Sequence, residues 1–96
     1  MVKINWTDRA INDLQDIADY IARDSIRYAQ LTVDKLFNHP AILIDKPDLG
    51  RIVPEFEDET IRELIKGNYR IIYRKVTEFR IDIITVHHCA RLLNNK

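Results

Sequence analysis

One dipeptide constrains this chain more than any other feature. Gly67-Asn68 sits between two runs of strand-forming residues, Ile61–Lys66 and Tyr69–Val76. Two-residue connections close antiparallel hairpins when their residues tolerate positive φ, as glycine and asparagine do. Taken literally, the turn sets a register. Lys66 faces Tyr69, Leu64 faces Ile71 and Arg62 faces Tyr73. The opposite face then carries Ile61, Glu63, Ile65, Arg70, Ile72 and Arg74, because successive side chains alternate. A third run, Phe79–His87, follows a turn at Thr77-Glu78.

The first half of the chain reads differently. Val2 to Trp6 is a short β-rich run. Thr7 is a good helix N-cap, and Ala10, Leu14, Ile17, Ala18 and Ile21 recur at helical spacing to about Asp24, with Asp13, Asp16, Asp19 and Arg23 on the other, solvated face. Ser25 is the next cap, and Ala29, Val33, Leu36 and Phe37 form a second stripe, so two helices pack as a hairpin. Pro40 kinks or restarts the second helix, with Asn38 as the new cap. Pro47 to Glu59 is a loop with an acidic cluster at Glu55, Glu57, Asp58 and Glu59. The order is β-α-α-β-β-β. The expected architecture is α+β, a helical hairpin on one face of a small antiparallel sheet, and 96 residues make one domain, residues 1–96.

Bulk composition narrows the function. At 46% hydrophobic and 31% charged the chain reads as a soluble folded domain. No apolar run is long enough to span a membrane, and Cys89 is alone, which together imply the cytoplasm. The net charge is zero but uneven: residues 61–96 hold 8 Lys and Arg against 3 Asp and Glu, and residues 1–60 hold 7 against 12. This asymmetry favours an acidic partner for the C-terminal half and excludes a protein that coats nucleic acid with its whole surface.

The basic half holds the residues that matter. Glu63 lies diagonally between Arg70 and Arg74 in the turn's register, within reach of long side chains. Two readings are open. The cluster is a cross-strand ion network at the sheet edge, or it is an arginine pair for a phosphate or carboxylate, oriented by Glu63. His87 and His88 point to opposite faces of a strand end. One of them is a general-acid candidate for phosphodiester cleavage, with one buried and one solvated histidine as the plainer reading. No ligands stand at zinc spacing around them, so no metal is expected, and no phosphate-binding glycine loop implies a cofactor. Trp6, Tyr20, Tyr28 and Phe37 read as core or helix-packing residues.

Gly50-Arg51, Val53-Pro54-Glu55, Arg62-Glu63-Leu64, the run from Gly67 to Tyr73 and Val86-His87 with Arg91 resemble the ParE/RelE superfamily of toxins. These belong to bacterial type II toxin–antitoxin modules and are also described as plasmid stabilisation proteins. The first helix, through Trp6, Ala10, Asp13, Leu14, Ile17, Tyr20 and Ile21, fits the same pattern. The resemblance implies a compact toxin neutralised in a toxin–antitoxin hetero-oligomer by a cognate antitoxin, whose C-terminal segment wraps it. ParE-like members poison DNA gyrase and are not enzymes; RelE-like members are ribosome-dependent mRNA endonucleases. The neutral total charge, the Gly-Asn-Tyr-Arg-Ile-Ile-Tyr-Arg run and the lack of an aromatic after Arg91 favour the ParE branch. In the endonuclease reading Glu63, Arg70 and His87 or His88 supply base, clamp and acid. A toxin fold that only binds antitoxin is a third reading. The partner-facing set is Arg70, Arg74, His87 and Arg91.

Overall fold

Thr7 ends the first strand and begins the first helix with a single side chain. Its hydroxyl accepts from the Ala10 N–H at 3.2 Å, capping the helix, and donates to the Ile83 carbonyl at 2.7 Å, fixing that helix start to the last strand. In the computed structural model, residues 2–90 are described. They form β1 (Lys3–Trp6), α1 (Asp8–Ala22), α2 (Ile26–Asn38), β2 (Arg51–Ile52), β3 (Ile61–Lys66), β4 (Tyr69–Thr77) and β5 (Arg80–His88). Ser25 caps α2 by accepting from the Tyr28 N–H at 3.0 Å. Of the two outcomes expected at Pro40, a kink or a restart, the restart is the one seen: α2 stops at Asn38. A 3₁₀ segment, His39–Ile44, continues from it, but the Asn38 side chain makes no capping bond.

The fold is α+β in the expected order, and the Gly67-Asn68 register holds throughout: Lys66 pairs with Tyr69, Leu64 with Ile71 and Arg62 with Tyr73. Gly67 takes φ +59°, the conformation for which the turn selects. The next turn lies one residue later than expected, at Glu78-Phe79, because Thr77 still pairs with Arg80.

Two features go beyond the sequence reading. The sheet is mixed rather than purely antiparallel: its order is β1-β5-β4-β3-β2, and β1 runs parallel to β5. The helical hairpin carries the chain from β1 across the sheet to β2 at the opposite edge, and the antiparallel returns through β3 and β4 bring β5 back beside β1 in the same direction. The segment read as a plain loop also folds. It contributes β2, with Arg51 opposite Glu63 and Ile52 opposite Arg62. Val53 and Phe56 then pack on Ile61 and Ile72.

The sheet is therefore covered twice. On one face Ala10, Leu14 and Leu36 of the helices meet Leu64, Ile71, Tyr73 and Ile83. On the other lies the small Val53–Ile61–Ile72 cluster. Tyr73 links the main core to the segment leading to β2. Its hydroxyl donates to the Pro47 carbonyl at 3.2 Å and accepts from the Gly50 N–H at 2.9 Å. A Cβ on Gly50 would lie 2.5 Å from that hydroxyl and 2.6 Å from the Glu63 carbonyl, whereas one on Gly67 would meet nothing.

Gly50→Ala is therefore expected to cost about 3 kcal/mol through overpacking. Gly67→Ala should cost about 1 kcal/mol through left-handed strain alone. Urea unfolding of both variants checks the order; equal midpoints would contradict it.

Candidate functional site

β3 and β4 place Glu63 and Arg70 on the face that the 47–60 segment covers, and that cover turns a surface cluster into a buried one. Glu63 is 1% exposed and Arg70 6%. The Arg70 Nε donates to Glu63 Oε1 at 2.6 Å, and its two terminal nitrogens donate to Glu55 at 2.7 and 2.9 Å. The second Glu63 oxygen accepts from the Arg51 Nε at 2.5 Å. Two carboxylates and two guanidiniums thus alternate in a neutral chain. Hydrogen bonds from Arg70 to Glu55 first, and to Glu63 next, raise the Arg70 pKa further still.

Of the two readings of Glu63, Arg70 and Arg74, the ion network is the one formed, inside the fold rather than at the sheet edge. Arg74 lies apart from it. It is half-exposed and 3.8 Å from Asp58, a carboxylate held below its usual pKa mainly by its hydrogen bonds to Thr60. Sequence reasoning gave Glu55 and Arg51 only minor roles. Their spacing around Val53, the apolar residue that buries the segment, is the signal that joins them to Arg70.

His87 stands opposite Arg70 in the β4–β5 register. With the exposed His88 it borders a groove of about 490 Å³ lined also by Asp13, Ile17, Tyr20 and Tyr69. The Tyr69 ring meets His88 edge-on at 5.4 Å. Asp13, read from the sequence as a solvated residue, instead accepts from the Thr85 hydroxyl and from the Val86 N–H at 3.0 Å, tying α1 to β5. Tyr20 and Tyr28 also depart from expectation. They are 70% and 62% exposed rather than packed, because each falls beside the apolar stripe of its helix. Trp6 packs against the main core and stacks on Phe37 at 5.0 Å, while Phe37 itself stays 47% exposed. Arg91 lies outside the described residues. Among the described residues no group of three or more His, Cys, Asp or Glu is placed to hold a metal ion, and no helix is long and apolar enough to cross a membrane.

Residues 4–93 match the family described as the ParE toxin of type II toxin–antitoxin systems, parDE. The chain belongs to the ParE toxin family. It is also 33% identical over 92 residues to Toxin RelE2 of Caulobacter vibrioides, covering 96% of this chain and 100% of that one. Two solved structures share the fold. The chromosomal ParDE toxin–antitoxin system of P. aeruginosa superposes with a TM-score of 0.73 at 23% identity, over 92% of this chain and 96% of that chain. The toxin–antitoxin complex RelBE2 of Mycobacterium tuberculosis gives 0.58 at 18% identity, over 91% and 96%. This ParE-family chain is accordingly a type II toxin–antitoxin toxin of the ParE/RelE fold.

The ion network makes a stability prediction. Arg70→Ala leaves one oxygen of the buried Glu63 and both oxygens of Glu55 without the guanidinium they accept from, and is expected to cost about 3 kcal/mol, a fall in Tm of more than about 10 °C. Arg74→Ala removes only a long exposed pair and should stay within about 0.5 kcal/mol of wild type. Thermal unfolding by circular dichroism reads both.

Proposed function

We propose that this toxin acts by binding rather than by cleavage, with DNA gyrase as its target and a cognate antitoxin as its inhibitor. The observation that carries this reading is the state of Glu63 and Arg70. A metal-free RNA cleavage that used them as base and phosphate clamp would need both groups to reach substrate. Here the Glu63 oxygens accept from Arg70 and Arg51, and the Arg70 guanidinium is closed by Glu63 and Glu55. Neutral total charge supports the same choice, since docking against ribosomal RNA rewards a strong positive excess. In this proposal Arg74, His87 and Arg91 face the partner, and Arg70 acts through them as a positioning residue by holding the 47–60 segment in place.

A second reading has one specific support, the identity to a relative named RelE2. It makes the chain a ribosome-dependent mRNA endonuclease, with His87 or His88 as general acid.

Purified toxin should inhibit gyrase supercoiling or stabilise the cleaved complex at micromolar concentration. An inert toxin in that assay, together with codon-phased cuts in primer extension on translated mRNA, would replace the first reading with the second. Arg70→Ala should reduce growth inhibition far more than Arg27→Ala, which changes an exposed residue of α2. Equal toxicity of the two variants would remove Arg70 from the proposal.

A further inference from the structure

The buried ion network divides along the border of the segment that covers it. Glu63 and Arg70 belong to β3 and β4, and their bond at 2.6 Å stays within the sheet. Arg51 and Glu55 belong to the cover, on either side of the buried Val53. Each pair is neutral. Lifting the cover therefore parts two neutral halves and strands no net charge, whereas deleting a single member does. On opening, Glu63 loses one of its two donors and gains water in its place.

The cover is fastened at both ends. Before it, the Tyr73 hydroxyl bonds Pro47 and Gly50, and Arg62 donates to the Gly50 carbonyl at 3.0 Å. After it, the Lys75 backbone N–H donates to the Thr60 carbonyl at 2.9 Å, and the Ile61 N–H to the Asp58 carbonyl at 3.1 Å. Residues 51–57 lie between these anchors. They meet the sheet through a ladder of two residue pairs, the small cluster of Val53 and Phe56 on Ile61 and Ile72, and the ion pairs of Arg51 and Glu55. Segments with so short a ladder and so little buried apolar surface open locally, below the free energy of global unfolding.

Opening would change what Arg70 presents. Glu55 now engages its two terminal nitrogens at 2.7 and 2.9 Å, the fork geometry by which a guanidinium recognises a carboxylate. A cavity of about 390 Å³ flanks this contact, lined by Arg51, Pro54, Glu55, Ile65, Arg70 and Cys89. When residues 51–57 lift, the fork faces that cavity while Nε stays on Glu63.

We propose that residues 51–57 are a hinged strap gating a carboxylate-binding seat on Arg70, with Glu55 as its internal occupant and an acidic side chain of a protein partner as the external one. Glu55 is tethered beside the seat, so an external carboxylate competes against a high effective concentration. The strap therefore keeps the seat shut against isolated carboxylates and yields to a partner that supplies other contacts as well. That the partner is a protein rests on the binding reading above; the gate rests on the geometry of the network.

The test is phenylglyoxal modification of the full toxin, read by mass spectrometry at Arg70, with hydrogen exchange on the same samples. Arg70 is 6% exposed, so the reagent reaches it through opening. Amides of residues 51–57 should exchange at least tenfold faster than those of β4 in the same molecule. Glu55→Gln should widen that ratio at least fivefold and speed Arg70 modification to match. Asp19→Asn, on the exposed face of α1, should leave both as in wild type. In Glu55→Gln, millimolar hexaglutamate should slow Arg70 modification at least threefold, and inorganic phosphate at the same concentration should not. Exchange of residues 51–57 in step with β4 would overturn the strap. Protection by phosphate alone, or by neither anion, would overturn the carboxylate seat. Gyrase supercoiling by wild-type toxin tests the binding reading separately, so its failure and that of the gate are told apart.

Discussion

The far side of this sheet depends on one buried carboxylate. Glu63 sits where a strand residue would ordinarily face either water or apolar core, and neither can accommodate its charge at low cost. Arg70 and Arg51 satisfy its two oxygens, one from the neighbouring strand β4 and one from β2. Glu55 then satisfies what remains of Arg70. Because Arg51 and Glu55 both belong to the 47–60 segment, neutralising Glu63 and closing that segment are the same event. The Val53 cluster adds the apolar part of the closure, and the Tyr73 hydroxyl anchors it from the main core. Such a network contributes little net stability over an apolar replacement, but it penalises any arrangement that leaves one member unpaired.

Much of the fold was legible because its signals are local. Gly67-Asn68 determined the β3–β4 register. Thr7 and Ser25 marked both helix starts, and Pro40 marked the end of α2. What escaped was non-local. β1 is four residues long with loose alternation, and nothing in Lys3–Trp6 names a parallel partner near the other end of the chain. β2 is only two residues, hidden in a stretch whose prolines and acids argue for a loop.

The same distinction governs the candidate site. Alternation placed Glu63, Arg70 and Arg74 on one face, but alternation cannot say whether a face is wet. That depended on Val53 and Phe56 folding back over it. Arg70 lies under the cover and Arg74 beyond it, so two arginines with the same sequence signature have different fates. Tyr20 and Tyr28 show the converse. Aromatics within an amphipathic helix are usually buried, and these two are exposed because each stands beside the stripe that packs.

The parallel pairing of β1 with β5 also bears on synthesis. The contact from Asn5 to Asp82 spans 77 positions. The strand made first therefore has no sheet partner until the last described strand has been made. Long-range pairing of this kind is slow, and incomplete sheets expose edges until it forms. A nascent chain carries the helical hairpin well before it carries a closed sheet. The sheet, with β5 seated between β1 and β4, is complete only at the end of that process. An interval therefore separates the synthesis of β1 from the closure of the edge it presents.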